Sequence, residues 1–363
     1  MVVASACSPI PNEKTQALEN NLMQVPIIDI SAKDTNRSEI LKLILSACQE
    51  YGFFKVINHG VSSDVIGNVE QEGLAFFTKP SALKLQAGPP NPLGYGSKKI
   101  GRCGDEGEIE YLLLSTDPQD ISNRSETISH HPKNFSAAMN DYIAAVRGLA
   151  SKLLDMIAES LGLEITEKTV FSKLITDPES DSLIRLNYYP AVNTPPHHLL
   201  LPHKDCSNMD TSCTQIRNSS SQWIGFGDHT DPQMLTLLRS NDVGGLQICS
   251  RDGVWVPVTP DPAAFCVNVG DVLQVMTNGS LMSVRHRVVM NTSYQTRMSI
   301  IYFASPPPNA LITCLPKLVT PRNPPVYKPF TWLEMKKVMY GMKLADSRLD
   351  HFKIHPYKDE DAE

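Results

Sequence analysis

The sequence predicts an α+β fold: a double-stranded β-helix (jelly-roll) core with a flanking helical layer. Three observations carry this reading. Apolar residues recur at helical spacing through the first half of the chain. Short apolar runs punctuated by turn residues fill the second half, and one further helical pattern closes it. Helices that precede a half-buried antiparallel sheet have a face to cover, so the two halves are expected to form one packed unit. The expected organisation is a loose tail over 1–24, a helix-and-strand region over 25–175, the core over 176–330, and a C-terminal helix and tail over 331–363.

The elements follow in order. "VPIIDIS" reads as a short apolar strand. From Ser38 to Tyr51, Ile40, Leu43, Ile44, Ala47 and Tyr51 fall on one helical face, and Gly52 stops the helix. "FFKVINHG" is a strand running into a turn, and a second helix covers Asp64 to Phe77. The longest helical pattern runs from about Phe135 to Leu161 and carries Met139, Tyr142, Val146, Leu149, Leu153 and Ile157. "SLIRLNYYP" is a strand ended by Pro190. An irregular loop rich in Pro, His, Ser and Cys follows over 192–221. Strands are then expected at "MLTLLRS", "GLQICS", "VWVPV", "AFCVNVG", "LQVM", "SVRHRVVM" and "RMSIIYFASP", with a last helix from Thr331 to Leu344.

Bulk properties narrow the class. The chain has 363 residues, 41% of them hydrophobic, enough for a sizeable core. A net charge of −6 argues against a nucleic-acid or anionic-membrane partner. No apolar run reaches the roughly 18 residues a spanning helix needs, and the N-terminal stretch lacks the marks of a signal peptide. Eight scattered cysteines with no C-x-x-C pair read as reduced thiols, and a cytoplasmic location is expected.

The chemistry is carried by "IGFGDHTDPQ", where His229 and Asp231 stand two apart. An H-x-D triplet alone is weak, since His203-Lys204-Asp205 is another, set inside the irregular loop. The first triplet differs in its setting: Gly225 and Gly227 precede it and an apolar strand follows. His286 adds the second imidazole; on a strand it shares a face with Val284 and Val288, while Arg285 and Arg287 point the other way. Read singly, His286 is an ordinary core histidine. Arg297 and Ser299 also share a face, and an inward arginine is costly unless it meets an anion. Taken together, two histidines and a carboxylate match the facial triad of non-haem Fe(II) oxygenases, with positions left open for a 2-oxo acid and dioxygen. A planar guanidinium suits the far carboxylate of such a co-substrate.

Over about Val25 to Ile354 the sequence resembles the plant 2-oxoglutarate- and Fe(II)-dependent dioxygenases, on "VPIIDIS", "YGFFKVINHG", "RLNYYP", "GFGDHTDPQ", "GLQI", "NVGDVLQVMTNG", "SVRHRV" and "RMSIIYF". The resemblance implies that His229, Asp231 and His286 hold Fe(II) and form the catalytic centre, and that Arg297 and Ser299 bind the distal carboxylate of 2-oxoglutarate. It also implies that Asn187 and Tyr189 line the same pocket, that O2 is consumed, and that ascorbate supports activity. Read without it, the "NYYP" residues are a strand end fixed by Pro190.

Within that family, "PLGYGSKKIG", "GEIEYLLL" and "FTWLEMKKVMYGMKLADSRLDHF" are similar to the gibberellin 2-oxidases acting on nineteen-carbon gibberellins. This implies a small-molecule substrate, a gibberellin, inactivated by 2β-hydroxylation, with Tyr95, Lys99 and Tyr111 as substrate-contact candidates; the other reading of these three is ordinary loop or surface. Two departures stand out: Asp228 where many relatives have Glu, and the loop 197–221. The loop's His197, His198, His203, Cys206 and Cys213 match no tight zinc spacing and read as surface. The alternatives are a sibling gibberellin 3- or 20-oxidase or a flavonoid oxygenase, a zinc hydrolase, which would leave Arg297 and Ser299 unexplained, and a non-enzymatic jelly-roll binding protein.

Overall fold

Period-two alternation along the strands decides the architecture. The computed structural model describes residues 24–31, 37–100, 103–164, 166–191, 224–290 and 295–354. The strands of the two main sheets are β1 (Ile27–Asp29), β2 (Phe53–Ile57), β3 (Gly94–Ile100), β4 (Asp105–Ser115), β5 (Leu183–Tyr189), β6 (Ile224–His229), β7 (Leu235–Ser240), β8 (Leu246–Cys249), β9 (Trp255–Pro257), β10 (Phe265–Val269), β11 (His286–Val289) and β12 (Arg297–Ala304). Eight of them form one sheet in the order β1-β2-β10-β7-β12-β5-β4-β3, and β6-β11-β8-β9 form a second.

One face of the large sheet takes the helices. Ile184, Leu186, Leu235, Leu237, Phe265, Val267, Ile300 and Tyr302 join a core cluster with Phe135, Tyr142, Val146, Leu153 and Ile157. These last five lie on α4 (Pro132–Ser160), and α1 (Arg37–Glu50), α2 (Ser63–Phe77) and α3 (Pro118–Ile128) pack against that helix. Each such fully buried side chain contributes about 1.5–3 kcal/mol relative to exposure. The opposite face meets the small sheet, where Phe53, Ile109 and Tyr189 pack against Phe226, Leu246, Ile248 and Val288. The residues alternating with the helix-facing ones therefore point between the sheets: Arg185, Asn187 and Tyr189 on β5, Thr236 on β7, Asn268 on β10, and Arg297 and Ser299 on β12.

Two expectations need correction. "LQVM" is not a strand: Asp271–Met276 is a short helix, α5. A short, mostly apolar run does not separate a buried strand from a buried helix. Here Gly270 sits so close to Gln233 that a Cβ would collide with its carbonyl oxygen, and the chain turns into a helix. The 229–231 triplet does not run directly into a strand; it closes β6, and β7 begins at Leu235. The β3–β4 hairpin and α3 had no assignment from periodicity, because polar residues and glycines break their patterns. The expected last helix is α6 (Trp332–Tyr340), with a capping box between Thr331 and Glu334. The loop expected at 192–221, with His203 and Asp205, and most of the expected tail lie outside the described residues. No helix among the described residues is long and apolar enough to cross a membrane.

Candidate active site

Strand pairing builds the centre. β11 runs antiparallel to β6, and His286 stands directly opposite His229. Their rings lie 4.3 Å apart, centroid to centroid. Asp231 sits just past the end of β6 and completes the group: Oδ1 is 3.6 Å from His229 Nε2 and 3.7 Å from His286 Nε2. One ligand atom from each of the three lies within 4.8 Å of the others.

Every other polar atom of the triad is occupied. His229 Nδ1 lies 2.7 Å from the Gly227 carbonyl and His286 Nδ1 lies 3.2 Å from the Val284 carbonyl, which leaves both Nε2 atoms facing inward as acceptors. Asp231 Oδ2 accepts hydrogen bonds from Thr236 Oγ1 at 2.7 Å and Asn268 Nδ2 at 2.8 Å, leaving Oδ1 free. Burial, and then the neighbouring His286, push the His229 imidazole down to about 3. Burial works against the Asp231 carboxylate, but His286, His229 and the Asn268 and Thr236 hydrogen bonds outweigh it and hold it below its usual range. A neutral imidazole and an ionised carboxylate are the states a divalent metal requires. The Asp228 departure stays clear of this centre, because its side chain pairs outward with Arg285.

The helix and segment after the core also reach the centre. Arg348, 4% exposed, donates from Nη1 to the Thr230 carbonyl at 2.9 Å and stands 3.6 Å from the buried Asp271. Asp271 in turn donates its backbone N–H to the Asp231 carbonyl at 2.8 Å. The residue between the two ligands is thus clamped by an ion pair whose members are about 80 positions apart.

A second polar group lies deeper between the sheets. Ser299 faces Asn187 and Arg297 faces Tyr189 across β12 and β5. Arg297 donates from Nη1 to Ser299 Oγ at 3.2 Å, and its guanidinium lies 5.2 Å from the Tyr189 ring centroid. Arg297 is 3% exposed and its Nε has no hydrogen-bond partner. A buried cation with a free donor is the feature that a 2-oxo diacid's far carboxylate would complete. Asn187 and Tyr189 line the inner cavity together with His229, Asp231 and His286.

An outer cleft of about 220 Å³ opens from the triad, lined by Tyr111, Leu113, Phe303, Met339, Tyr340 and Leu344 among others. Of the three substrate candidates, Tyr111 is there. Lys99 is exposed on β3, across from Glu106, and outside the lining. Tyr95 donates its hydroxyl to Glu110 at 2.7 Å and packs on Phe76, also outside the lining. The β3–β4 register is irregular at Lys98, with φ 60°, but Ile100 across from Asp105 keeps the cleft face that Gly96 has across from Tyr111, so Tyr95 and Lys99 share the other face. Sequence reasoning missed Arg185, Thr236, Asn268 and Arg348. The first was within reach, being two residues before Asn187 and therefore on the same face of β5.

Loss of the Asn268 side chain should weaken metal binding. Asn268→Ala removes a donor that orients Asp231, so affinity for Fe(II) or Mn(II) is expected to fall about 10–100-fold, with Thr236→Val acting in the same direction. Anaerobic metal titration checks this; unchanged affinity in both variants would show that Asp231 is oriented by other groups.

The comparisons agree with the geometry. Residues 180–306 match the model of the 2OG-Fe(II) oxygenase superfamily, and 25–134 match the N-terminal model described as non-haem dioxygenase in morphine synthesis. The chain is 43% identical over 329 residues to a gibberellin 2-beta-dioxygenase of Phaseolus coccineus, covering 90% of each. It is 46% identical over 331 residues to gibberellin 2-beta-dioxygenase 4 of Arabidopsis thaliana, covering 91% of this chain and 94% of that one. Among solved structures, the rice dioxygenase for auxin oxidation superposes with a TM-score of 0.70 at 23% identity, covering 91% of this chain and all of that one, which bears on the fold. JOX2, in complex with 2OG, Fe and JA, superposes at 0.73 with 25% identity over 96% of this chain and 99% of that one.

Proposed function

The chain belongs to the 2OG-Fe(II) oxygenase superfamily, among the plant gibberellin 2-beta-dioxygenases, and from that premise we propose that it hydroxylates gibberellins at the 2β position and so inactivates them. The observation that carries the reading is the His229–Asp231–His286 cluster, which lines the inner cavity and of which His229 and Asp231 also line a mostly apolar outer cleft, in a chain related to those enzymes over nine-tenths of its length.

His229 Nε2, Asp231 Oδ1 and His286 Nε2 would hold Fe(II), and Arg297 with Ser299 would hold the distal carboxylate of 2-oxoglutarate. Iron with 2-oxoglutarate and dioxygen supplies the oxidising power that hydroxylates an aliphatic C–H bond, with succinate and carbon dioxide as co-products, and ascorbate supports the iron's ferrous state. The protein's own share is coordination, orientation and exclusion of water. The His229 and His286 side chains are only 12% exposed and Asp231 5%, so the reacting face is shielded before substrate arrives. Tyr111, Phe303 and Leu344 offer apolar and aromatic surface to a rigid polycycle, whose fit selects the C–H that faces the metal. An error of about 1 Å there can cost roughly 100-fold in rate. A cytosolic location belongs to this proposal; its support is that Cys48, Cys103, Cys249, Cys266 and Cys314 stand as free thiols.

The decisive measurement is incubation with Fe(II), ascorbate, 2-oxoglutarate and a panel of gibberellins, read by mass spectrometry. A 2β-hydroxylated nineteen-carbon product with matching succinate is expected. Consumption of 2-oxoglutarate with a flavanone or another non-gibberellin, and no 2-hydroxylated product from any active gibberellin, would sink the assignment.

A further inference from the structure

Arg185 is a cation without a counter-ion. It projects between the sheets from β5, and its guanidinium lies 4.0 Å from the Tyr111 ring centroid and 4.9 Å from that of Phe226. Its Nε donates to Asn187 Oδ1 at 2.7 Å. Its Nη2 is covered from solvent and has no hydrogen-bond partner. Other interior guanidiniums differ: Arg348 has Asp271, Arg239 has Glu70, Arg147 donates to the Thr116 carbonyl and lines neither cavity of the site, and Arg297 is the proposed clamp for 2-oxoglutarate. Among the described residues, no carboxylate pairs with Arg185.

Its position is as informative as its charge. Arg185 lines both the inner cavity that holds the triad and the outer cleft that opens from it. A buried, unpaired guanidinium costs free energy in the empty protein, and an arriving anion removes that cost. Two aromatic faces fix the plane of the fork, and a fixed fork suits the two oxygens of one carboxylate. Burial pulls the group's pKa down, and Tyr111, Tyr189 and Asp231 oppose it, so Arg185 stays cationic.

We propose that Arg185 is the carboxylate anchor of the substrate site, receiving the acid group of an apolar polycyclic monocarboxylic acid whose body lies against Tyr111, Leu113 and Phe303. The inference rests on the gibberellin reading above, since a gibberellin offers such a body and such an acid. It places the anchor on a residue that lines the cleft and not on the cationic substrate-contact candidate Lys99, which is exposed outside it. A carboxylate at Arg185 has a second source, the 2-oxoglutarate carboxylate beside the keto group, and the two are separable.

The test compares the wild type with Arg185→Gln, which keeps a donor for Asn187 without charge, and Arg185→Lys. Binding of a nineteen-carbon gibberellin and of its methyl ester is measured with 2-oxoglutarate and Mn(II) present, alongside KM for gibberellin and for 2-oxoglutarate with Fe(II). The wild type should bind the acid about 10–100-fold more tightly than the ester, and Arg185→Gln should bind the two alike. KM for gibberellin should rise by that factor while KM for 2-oxoglutarate holds, and Arg185→Lys should recover part of the loss. A rise confined to 2-oxoglutarate would assign Arg185 to the co-substrate and overturn the proposal. Equal binding of acid and ester by the wild type would overturn the anchor alone. Binding of neither would overturn the anchor together with the gibberellin reading. Circular dichroism of both variants confirms that the comparison is made on folded protein.

Discussion

Replacing His229, Asp231 or His286 by alanine is expected to abolish turnover in a protein that remains folded. Each substitution removes one of three ligand atoms that converge within 4.8 Å. Loss of a hydrogen bond to a ligand already costs about 10–100-fold in metal affinity, so loss of the ligand itself should exceed that range. Asp231 needs a second variant, because alanine also strands the Thr236 and Asn268 donors that now reach its Oδ2. Leaving buried donors unsatisfied costs about 1–3 kcal/mol each. Asp231→Asn keeps an acceptor of the same shape without the negative charge, and separates loss of metal from loss of fold. Metal content by elemental analysis, succinate formation and circular dichroism report the three quantities. The control is the other H-x-D triplet: His203→Ala and Asp205→Ala should leave iron binding intact. Iron that survives loss of His229 but falls with His203 would overturn the assignment of the centre.

Arg297→Leu is expected to raise the 2-oxoglutarate requirement about 10–100-fold, the equivalent of one charge-assisted hydrogen bond of about 1.5–3 kcal/mol, and more if both nitrogens engage. Arg297→Lys should rescue only in part, since an ammonium cannot present the planar fork. The stability effect has the opposite sign. Arg297 is 3% exposed with an unpartnered Nε, and burial alone draws its pKa below the ordinary value. Leucine removes that cost, so the ligand-free variant should melt no lower than the wild type. The rise in melting temperature that 2-oxoglutarate gives the wild type by mass action should shrink in the variant. An unchanged 2-oxoglutarate dependence would make Arg297 a structural residue and place the co-substrate elsewhere.

Apart from the His229–Asp231 pair, whose second member lies past the end of β6, the parts of the site legible in the sequence share a property: each follows from alternation along one strand. Arg297 and Ser299 are two apart on β12, as are Asn187 and Tyr189 on β5, and both pairs do share the face between the sheets. His286 lies with Val284 and Val288, and Arg285 turns outward to Asp228. The same rule reaches Arg185 from Asn187, two residues away on the same face of β5. It also holds along β3, where Ile100 stands across from Asp105 on the cleft side as Gly96 stands across from Tyr111, so Lys99, like Tyr95, lies off the cleft face. It had no purchase on "LQVM", where Leu273, Val275 and Met276 are all buried and show no single outward face.

The local sequence was sufficient for the class of fold, the long helices and the ligand types, because periodicity and residue chemistry are properties of a segment and its neighbours. Partnership across the chain belonged to the tertiary structure. That His286 faces His229 is a matter of register between β11 and β6, and that Arg297 faces Tyr189 is one of register between β12 and β5. The same holds for the support around the metal ligands: Thr236 and Asn268 on Asp231 Oδ2 come from two further strands, and Arg348 on Thr230 comes from the C-terminal segment. Arg185 shows the division most sharply. Its side of the strand could be read from the sequence, but its meaning could not. A guanidinium is ordinary beside a carboxylate and costly without one, and only the packed sheets decide which of the two it is.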